Sequence, residues 1–372
     1  MKILHIVLSL GKGGAEKLLV DNLPRYIEKG HEVSILQLSS ILEASEYIES
    51  VKNSGIGFYS LSDSGFRDIR LIYKLRKFLK KHSFDVVHVH LFPCLYWVSL
   101  ATLFYKKRPV LVFTEHSTSN ERNTKFYFQP IEKLIYCRYD GIIAISERVR
   151  EKLLSWLNYK NKTYLIYNGI DINRFDKAEG YSQDFWTNEY DFPRDANKII
   201  MVSRFSYPKD PKTLLLAMEK LTSKSHLFFV GDGDQIANAK LIARDIKIQN
   251  KVHFMGFRMD IPQLMKSADL IVLSSLHEGM SGVTLEALAS GTPFLGSNVV
   301  GIKEFVANSK CLFESQNPVD LAQKIDGVLN NPLLKKEMQM EGRTFVQQYD
   351  IEKMVQAHLQ LYEKLLNEKR KA

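Results

Sequence analysis

The sequence predicts an α/β protein made of two doubly wound units of parallel sheet. Three observations lead there. At 372 residues the chain exceeds one ordinary core, so two units of about 150–200 residues are expected. Short apolar or β-branched runs alternate with amphipathic helical patterns, the mark of βαβ units in a sheet covered on both faces. The alternation stops once, over residues 171–197, and then begins again. The expected units are 1–170 and 171–349, followed by an amphipathic segment over 350–372.

"KILHIVLSL" opens the chain as a buried strand. It has no small-residue cleavage site and runs straight into a glycine loop, so it does not read as a signal peptide. A helical pattern over 15–28 and the strand "HEVSILQL" follow, then the basic helix in "FRDIRLIYKLRKFLKKH". The strands "FDVVHVH", "VLVFTEH", "GIIAIS" and "TYLIYNG" complete the first series, with a helix over 146–157. The apolar stretch 91–105 contains Pro93 and is shorter than the ~20 residues of a bilayer span, so no transmembrane segment is expected. Residues 171–197 have no clean period and are rich in Asp, Asn and Gly. "KIIMVSRF", "HLFFVGDG", "KVHFMGF", "DLIVLSS" and "PFLGS" then read as the strands of a second unit. Two such units imply a cleft, with ligands outside the carboxyl ends of the strands.

Apolar residues at 45% and charged residues at 25% fit a soluble globular chain and exclude a disordered one. The scattered Cys94, Cys137 and Cys311 fit neither a disulfide framework nor metal-ligand spacing, which points to a reducing compartment. Charge is uneven. Residues 1–170 hold 25 Lys+Arg against 16 Asp+Glu, a net of +9, whereas 171–372 hold 26 of each. The first unit is therefore expected to meet an anionic partner: phospholipid headgroups, a lipid diphosphate or nucleic acid. No nucleic-acid module or series of stacking aromatics is present, which argues against the last.

The residues just past the strands carry the chemistry. "GKGGAE" places Gly13 and Gly14 after the first strand, where backbone N–H groups can approach an anion, or where the chain merely turns. Glu16 stands at the third glycine position of a dinucleotide fingerprint, and "ILQLSS" lacks the ribose-binding acid, so NAD is excluded. Arg204 and Lys209 follow a strand and suit a diphosphate, though a solvated surface pair has the same sequence. Asp232 and Asp234 match either a metal-holding D-x-D pair or a turn. His116 closes a strand and either meets a substrate or caps the next segment. His88 and His90 share one face of a strand but lack a third ligand for a metal.

"HEGMSGVTLEALASGTPFLGS" gathers the strongest group. Glu278 lies in the loop after "DLIVLSS" and Glu286 inside the helix that follows. The N–H groups from Gly279 through Met280 and Ser281 to Gly282 form an anion cradle between them. Two carboxylates flanking that cradle suit a ligand with sugar hydroxyls on both sides of a diphosphate, that is, a nucleotide sugar. An ordinary helix with solvated glutamates is the plain alternative.

In this order the pieces resemble the retaining glycosyltransferases of family 4, of the bacterial surface-polysaccharide type. The resemblance runs through "GGAE", "GHEV", "DVVHVH", His116, "AISE", "YNGID", Arg204 with Lys209, "VGDG", "FMGF", and Glu278 with Glu286 before "ALASGTP". It implies the GT-B fold: two facing Rossmann-like domains with an interdomain cleft, the terminal helix crossing back to the first. It also implies roles. Glu278 and His116 contact the donor sugar, Glu286 the ribose, and Arg204 and Lys209 the diphosphate. The Gly13–Gly14 backbone approaches that diphosphate, and Gly256 and Phe257 flank the base. No metal or other cofactor is expected, so Asp232 and Asp234 become a turn. Met280 and Ser281 depart from the family's usual Phe and Gly.

The implied activity is hexosyl transfer with retention from a nucleotide sugar, a UDP-sugar ahead of a GDP-sugar, to a hydroxyl of a glycan or lipid-linked saccharide. A nucleotide-sugar epimerase or hydrolase, or a non-catalytic binder of anions, are the rival readings. On the basic helix Ile69, Ile72, Leu75 and Leu79 fall at helical spacing, with Arg67, Arg70, Lys74, Arg76, Lys77, Lys80 and Lys81 around them. Such a helix suits an anionic membrane surface, here the inner face of the cytoplasmic membrane, and equally an ordinary packed helix. "FYF" at 126–128 is a candidate contact for an acceptor lipid.

Overall fold

The computed structural model describes residues 1–41, 45–63, 65, 68–116 and 125–371. Arg67 and the side chain of Phe126 lie outside the described residues. The chain forms two compact units, Met1–Gly169 with Ile351–Ala372, and Ile170–Asp350.

The first unit is built on β1 (Lys2–Val7), β2 (Glu32–Gln37), β3 (Gly57–Ser60), β4 (Val86–His90), β5 (Val110–Glu115), β6 (Gly141–Ala144) and β7 (Thr163–Leu165). They pair in parallel in the order β3-β2-β1-β4-β5-β6-β7. Ile3, Leu4, Ile6 and Val7 of β1 are all fully buried, because helices cover both faces. The edge strand β3 escapes a sequence reading: its four residues are partly exposed and have no apolar run. The terminal helix Ile351–Lys371 belongs to this unit. It buries Val355, Tyr362 and Leu365, and Lys369 Nζ donates to the carbonyls of Arg108 and Pro109 at 2.8 and 2.9 Å.

The basic helix runs Arg70–His82, and its inward face keeps Leu75 and Leu79 of the expected stripe but not the isoleucines. Leu71, Leu75 and Leu79 are buried, whereas Ile69 precedes the first turn and is exposed. Leu71, Leu75 and Leu79 fall at i, i+4 and i+8 and so form one buried stripe along the helix.

The second unit uses β8 (Asn197–Val202), β9 (Ser225–Val230), β10 (Val252–Gly256), β11 (Leu270–Leu273), β12 (Phe294–Ser297) and β13 (Leu312–Phe313), parallel in the order β10-β9-β8-β11-β12-β13. The aperiodic stretch before β8 holds two short helices, Ile172–Lys177 and Gln183–Tyr190, capped by Asp171 and Ser182. They are too brief to show a period, yet Trp186 is fully buried, edge-on to Phe228 at 4.7 Å. In each sheet the winding reverses beside the first strand, between β1 and β4 and between β8 and β11. Open α/β sheets bind ligands at such reversals.

Candidate functional site

In the second unit, the loops leaving β8 and β11 run side by side from the reversal. Asp210 N donates to Ser274 O at 3.0 Å and Leu276 N to Pro208 O at 2.9 Å, with Lys209 bridged to Ser275 between them. This stitching brings Lys209 to Glu278. The ammonium pairs with the carboxylate at Oε1, and Ser275 Oγ donates to the same oxygen at 2.8 Å. The two side chains are 14% and 15% exposed, so most solvent screening is lost. Arg204 is exposed and has no ion pair among the described residues. Sequence reasoning gave Lys209 and Glu278 separate partners; the structure couples them and leaves Arg204 as the open cation.

The segment after Glu278 is held by the loop past β12. Glu278 N donates to Val300 O and Ser281 N to Gly301 O, each at 3.0 Å. Gly301 has φ +85°, and a Cβ there would stand 2.3 Å from Glu278 O, so the approach requires glycine. The expected cradle is accordingly narrower than Gly279–Gly282, because the Ser281 N–H is already engaged. Ser281 also caps the helix Gly282–Ser290, accepting from Thr284 N at 3.2 Å, and Met280 is buried. Those roles account for a Ser and a Met at these positions. Glu286 is half-buried one turn beyond the exposed Gly282, on the same helix face. Gly256 ends β10, two strands from β8, where its carbonyl accepts from Gly231 N at 2.7 Å; Phe257 follows it, half-buried. Asp232 works within a turn: its carboxylate accepts from Gly233 N at 2.9 Å and its carbonyl from Phe205 N at 2.9 Å. Asp234 is exposed beside it.

In the first unit, Gly13 caps the helix Gly14–Glu28 with an ordinary extended backbone. A side chain at Gly14 would meet nothing, and one at Gly13 only the movable Glu16 carboxylate. No backbone strain or backbone clash requires glycine at either position.

His116 follows β5 and joins a buried cluster of imidazoles that the sequence did not disclose. The β1–β4 register pairs His5 with His88, and the β4–β5 register pairs His90 with Thr114. Side chains alternate along a strand, so His5, His88, His90 and Thr114 share one face, and His116 stands two residues beyond Thr114. His5 Nδ1 and His90 Nε2 are 3.0 Å apart, and His90 Nδ1 and His116 Nε2 3.4 Å. His88 hydrogen-bonds Tyr362 OH through Nδ1 and Thr114 Oγ1 through Nε2, at 2.5 and 2.6 Å. His358 Nδ1 meets Tyr26 OH at 2.7 Å. Burial pushes His116 down to about 4, and burial with the neighbouring His358 pushes His5 to about 3. His88 is also driven well below the ordinary range by burial and then by His90 and His5, and His90 by burial and then by His5 and His116. The imidazoles are neutral at physiological pH. His5 therefore supplies the third donor that His88 and His90 lack in the sequence, the three lying within 4.8 Å of one another. Both nitrogens of His88 are already hydrogen-bonded within the protein. The signal that could have found His5 is the strand register, which local pattern does not carry.

Two doubly wound parallel units are the architecture of GT-B glycosyltransferases. The chain belongs to the family 4 and group 1 glycosyltransferases: residues 12–174 match the model of Glycosyltransferase Family 4, and residues 182–345 that of Glycosyl transferases group 1. It is 24% identical to the N-acetyl-alpha-D-glucosaminyl L-malate synthase of Bacillus anthracis, over 92% of this chain and 91% of that one. It is also 24% identical to the UDP-Gal:alpha-D-GlcNAc-diphosphoundecaprenol alpha-1,3-galactosyltransferase of Escherichia coli, over 83% and 82%. Among solved structures, Anabaena HepE in complex with UDP and glucose superposes with a TM-score of 0.84, at 20% identity over 98% and 99% of the two chains.

Proposed function

We propose that this glycosyltransferase moves a hexosyl group with retention from a nucleotide sugar, a UDP-sugar ahead of a GDP-sugar, to a hydroxyl of a lipid-linked saccharide. The observation that carries the reading is the Lys209–Glu278 couple beside the open cation Arg204. Both partners of Glu278 bind Oε1, so Oε2 is left to accept a sugar hydroxyl. Lys209 orients that carboxylate and, with Arg204, offsets charge on the diphosphate without a metal. Glu286 accepts from the ribose, Gly256 and Phe257 flank the base, and Gly13 and Gly14 leave backbone open to the ligand. His116 hydrogen-bonds the donor sugar. In the reaction the bond from the anomeric carbon to phosphate breaks and the acceptor oxygen bonds to that carbon on the same face. The departing phosphate takes the acceptor proton, and Arg204 stabilises the charge developing on it.

The E. coli relative acts on a diphosphoundecaprenol-linked acceptor, and the first unit suits a polyprenyl diphosphate at an anionic membrane surface. Lys77, Lys80 and Lys81 are exposed on the basic helix, and Arg76 donates to Leu103 O at 2.6 Å beside the exposed Phe104. Among the described residues no helix is long and apolar enough to cross a membrane, so attachment is assigned to this basic, aromatic-tipped surface.

A thermal-shift panel with UDP, GDP, ADP and their common sugar conjugates, with and without chelator, tests the donor assignment. A ligand at ~100 times its Kd adds about 2.7 kcal/mol of stability. Chelator-insensitive stabilisation by one nucleotide, and more by one of its sugars, is expected. If no nucleotide stabilises the protein, the donor assignment falls. Charge reversal at Lys77, Lys80 and Lys81 should abolish sedimentation with anionic liposomes.

A further inference from the structure

We infer that His5 and His90 are positioning residues that hold His116 in one tautomer, so that it offers a hydrogen bond from Nδ1–H rather than accepting one there. The inference rests on the reading that His116 meets the donor sugar.

The chain His5–His90–His116 is continuous. His5 Nδ1 meets His90 Nε2 at 3.0 Å, and His90 Nδ1 meets His116 Nε2 at 3.4 Å. Each neutral imidazole carries one N–H and one bare nitrogen, so the protons in such a chain all point the same way. Only two arrangements exist. If they point toward His5, then His116 donates from Nε2, and His5 must carry its proton on Nε2. If they point toward His116, then His5 donates from Nδ1, and His116 accepts at Nε2 and carries its own proton on Nδ1.

His5 decides between them. Its Nε2 is buried with no hydrogen-bond partner among the described residues. The first arrangement buries an orphaned N–H there; the second buries only a bare lone pair. Orphaned buried N–H groups are the rarer and costlier defect. The second arrangement is therefore selected. Neighbouring groups do not reverse it. Both nitrogens of His88 are engaged with Tyr362 and Thr114, Nδ1 of His358 is engaged with Tyr26, and no described residue accepts from His5 Nε2. No described residue takes Nδ1 of His116, which lines a small cavity with His90, Thr114, Asn168 and His358. A fixed Nδ1–H there suits an oxygen lone pair of a sugar. It does not suit proton abstraction from the acceptor, which sets His116 apart from a general base.

The test is the imidazole nitrogen spectrum of the full-length protein labelled with 15N-histidine, with His116 assigned from the signals lost in His116→Gln. Wild type should show His116 protonated at Nδ1 and bare at Nε2. His5→Asp sets a carboxylate, which only accepts, against His90 Nε2, and should reverse the chain so that His116 is protonated at Nε2 and bare at Nδ1. His90→Asn retains an amide donor near the Nδ1 position and should preserve the wild-type tautomer, whereas His90→Gln displaces it and should not. Sugar-transfer kcat/KM should follow the tautomer, falling about tenfold in His5→Asp and staying near wild type in His90→Asn. A bare Nδ1 in wild type overturns the inference, and that measurement stands even if His5→Asp does not fold. An unchanged tautomer in folded His5→Asp overturns it too. The spectrum is read without donor, so the expected tautomer together with an absence of nucleotide-sugar binding would sink the proposed function while leaving the relay in place.

Discussion

Breaking the Lys209–Glu278 couple from either side should destabilise the second unit, and breaking both should cost less than the sum. An exposed ion pair contributes about 0–1 kcal/mol, whereas stripping one partner from a fully buried pair costs about 3–5 kcal/mol. With side chains 14% and 15% exposed, this couple falls between those limits. Lys209→Met should cost about 2–3 kcal/mol, because the Glu278 charge keeps only the Ser275 hydroxyl. Glu278→Gln should cost about 1.5–2.5 kcal/mol, since the amide oxygen still accepts from Ser275 but the ammonium loses its counter-charge. The double variant removes both charges, and a coupling of about 1–2 kcal/mol is expected. Trp186 is fully buried and, of Trp97, Trp156 and Trp186, it alone lies in the second unit. Urea unfolding followed by its fluorescence, in a background with Phe at 97 and 156, therefore reports this unit. At about 2–4 °C per kcal/mol for a unit of this size, Lys209→Met should lower Tm by roughly 5–10 °C. Strictly additive single variants, or a Lys209→Met protein as stable as wild type, would refute an enclosed pair.

Arg204→Ala should leave stability within about 0.5 kcal/mol, since the side chain is exposed and unpaired, yet weaken UDP-sugar binding about 10- to 100-fold. Calorimetric titration checks this, and retained affinity would remove the diphosphate from Arg204. Gly301→Ala should destabilise the second unit by more than the about 1–2 kcal/mol that a left-handed residue costs, because its Cβ also collides with Glu278 O; unaltered Trp186 unfolding would contradict the clash. The buried imidazoles make the first unit acid-labile. His5, His116 and His358 are held at about 3, 4 and 3 against 6.5 in the unfolded chain. The unfolded state thus takes up protons first, and stability present above pH 6.5 is lost as pH falls, at about 1.4 kcal/mol per imidazole per pH unit. Glu132, raised to about 7 by burial, acts in the opposite sense between about pH 4.5 and 7, but it is one group against three. The first unit's Tm should therefore drop between pH 7 and 5.5, and a flat profile would show the imidazoles to be solvated.

The central strands were legible because burial on both faces leaves continuous apolar runs, as in Ile3–Val7 and Leu270–Leu273. β3 and β13 were not. Each sits at a sheet edge, with four and two residues and too little burial to imprint a pattern. The basic helix was found with Leu75 and Leu79 on its inner face, but Leu71 completes that face, and Ile69 stands exposed before the first turn. Arg204, Lys209 and Glu278 stood out by lying just past strands, and Glu286 by its place in the helix that follows Glu278. What stayed hidden was which of them touch.

That hidden part has one physical origin in both units. A doubly wound sheet sets its first strand against its fourth, so residues far apart in sequence become neighbours through strand order alone. Lys209 and Glu278 are 69 residues apart and follow β8 and β11; His5 and His90 are 85 apart and lie on β1 and β4. Local period and propensity contain neither relation. Both follow once the 3-2-1-4 order is imposed on the strands that the sequence does reveal. With β8 beside β11, a lysine seven residues beyond one and a glutamate five beyond the other emerge on adjacent loops at the same sheet edge. With β1 beside β4, a histidine on the first strand has to meet those of "VHVH" on whichever face they share. The reversal beside the first strand of each unit is thus what assembles the ion pair in one and the imidazole relay in the other.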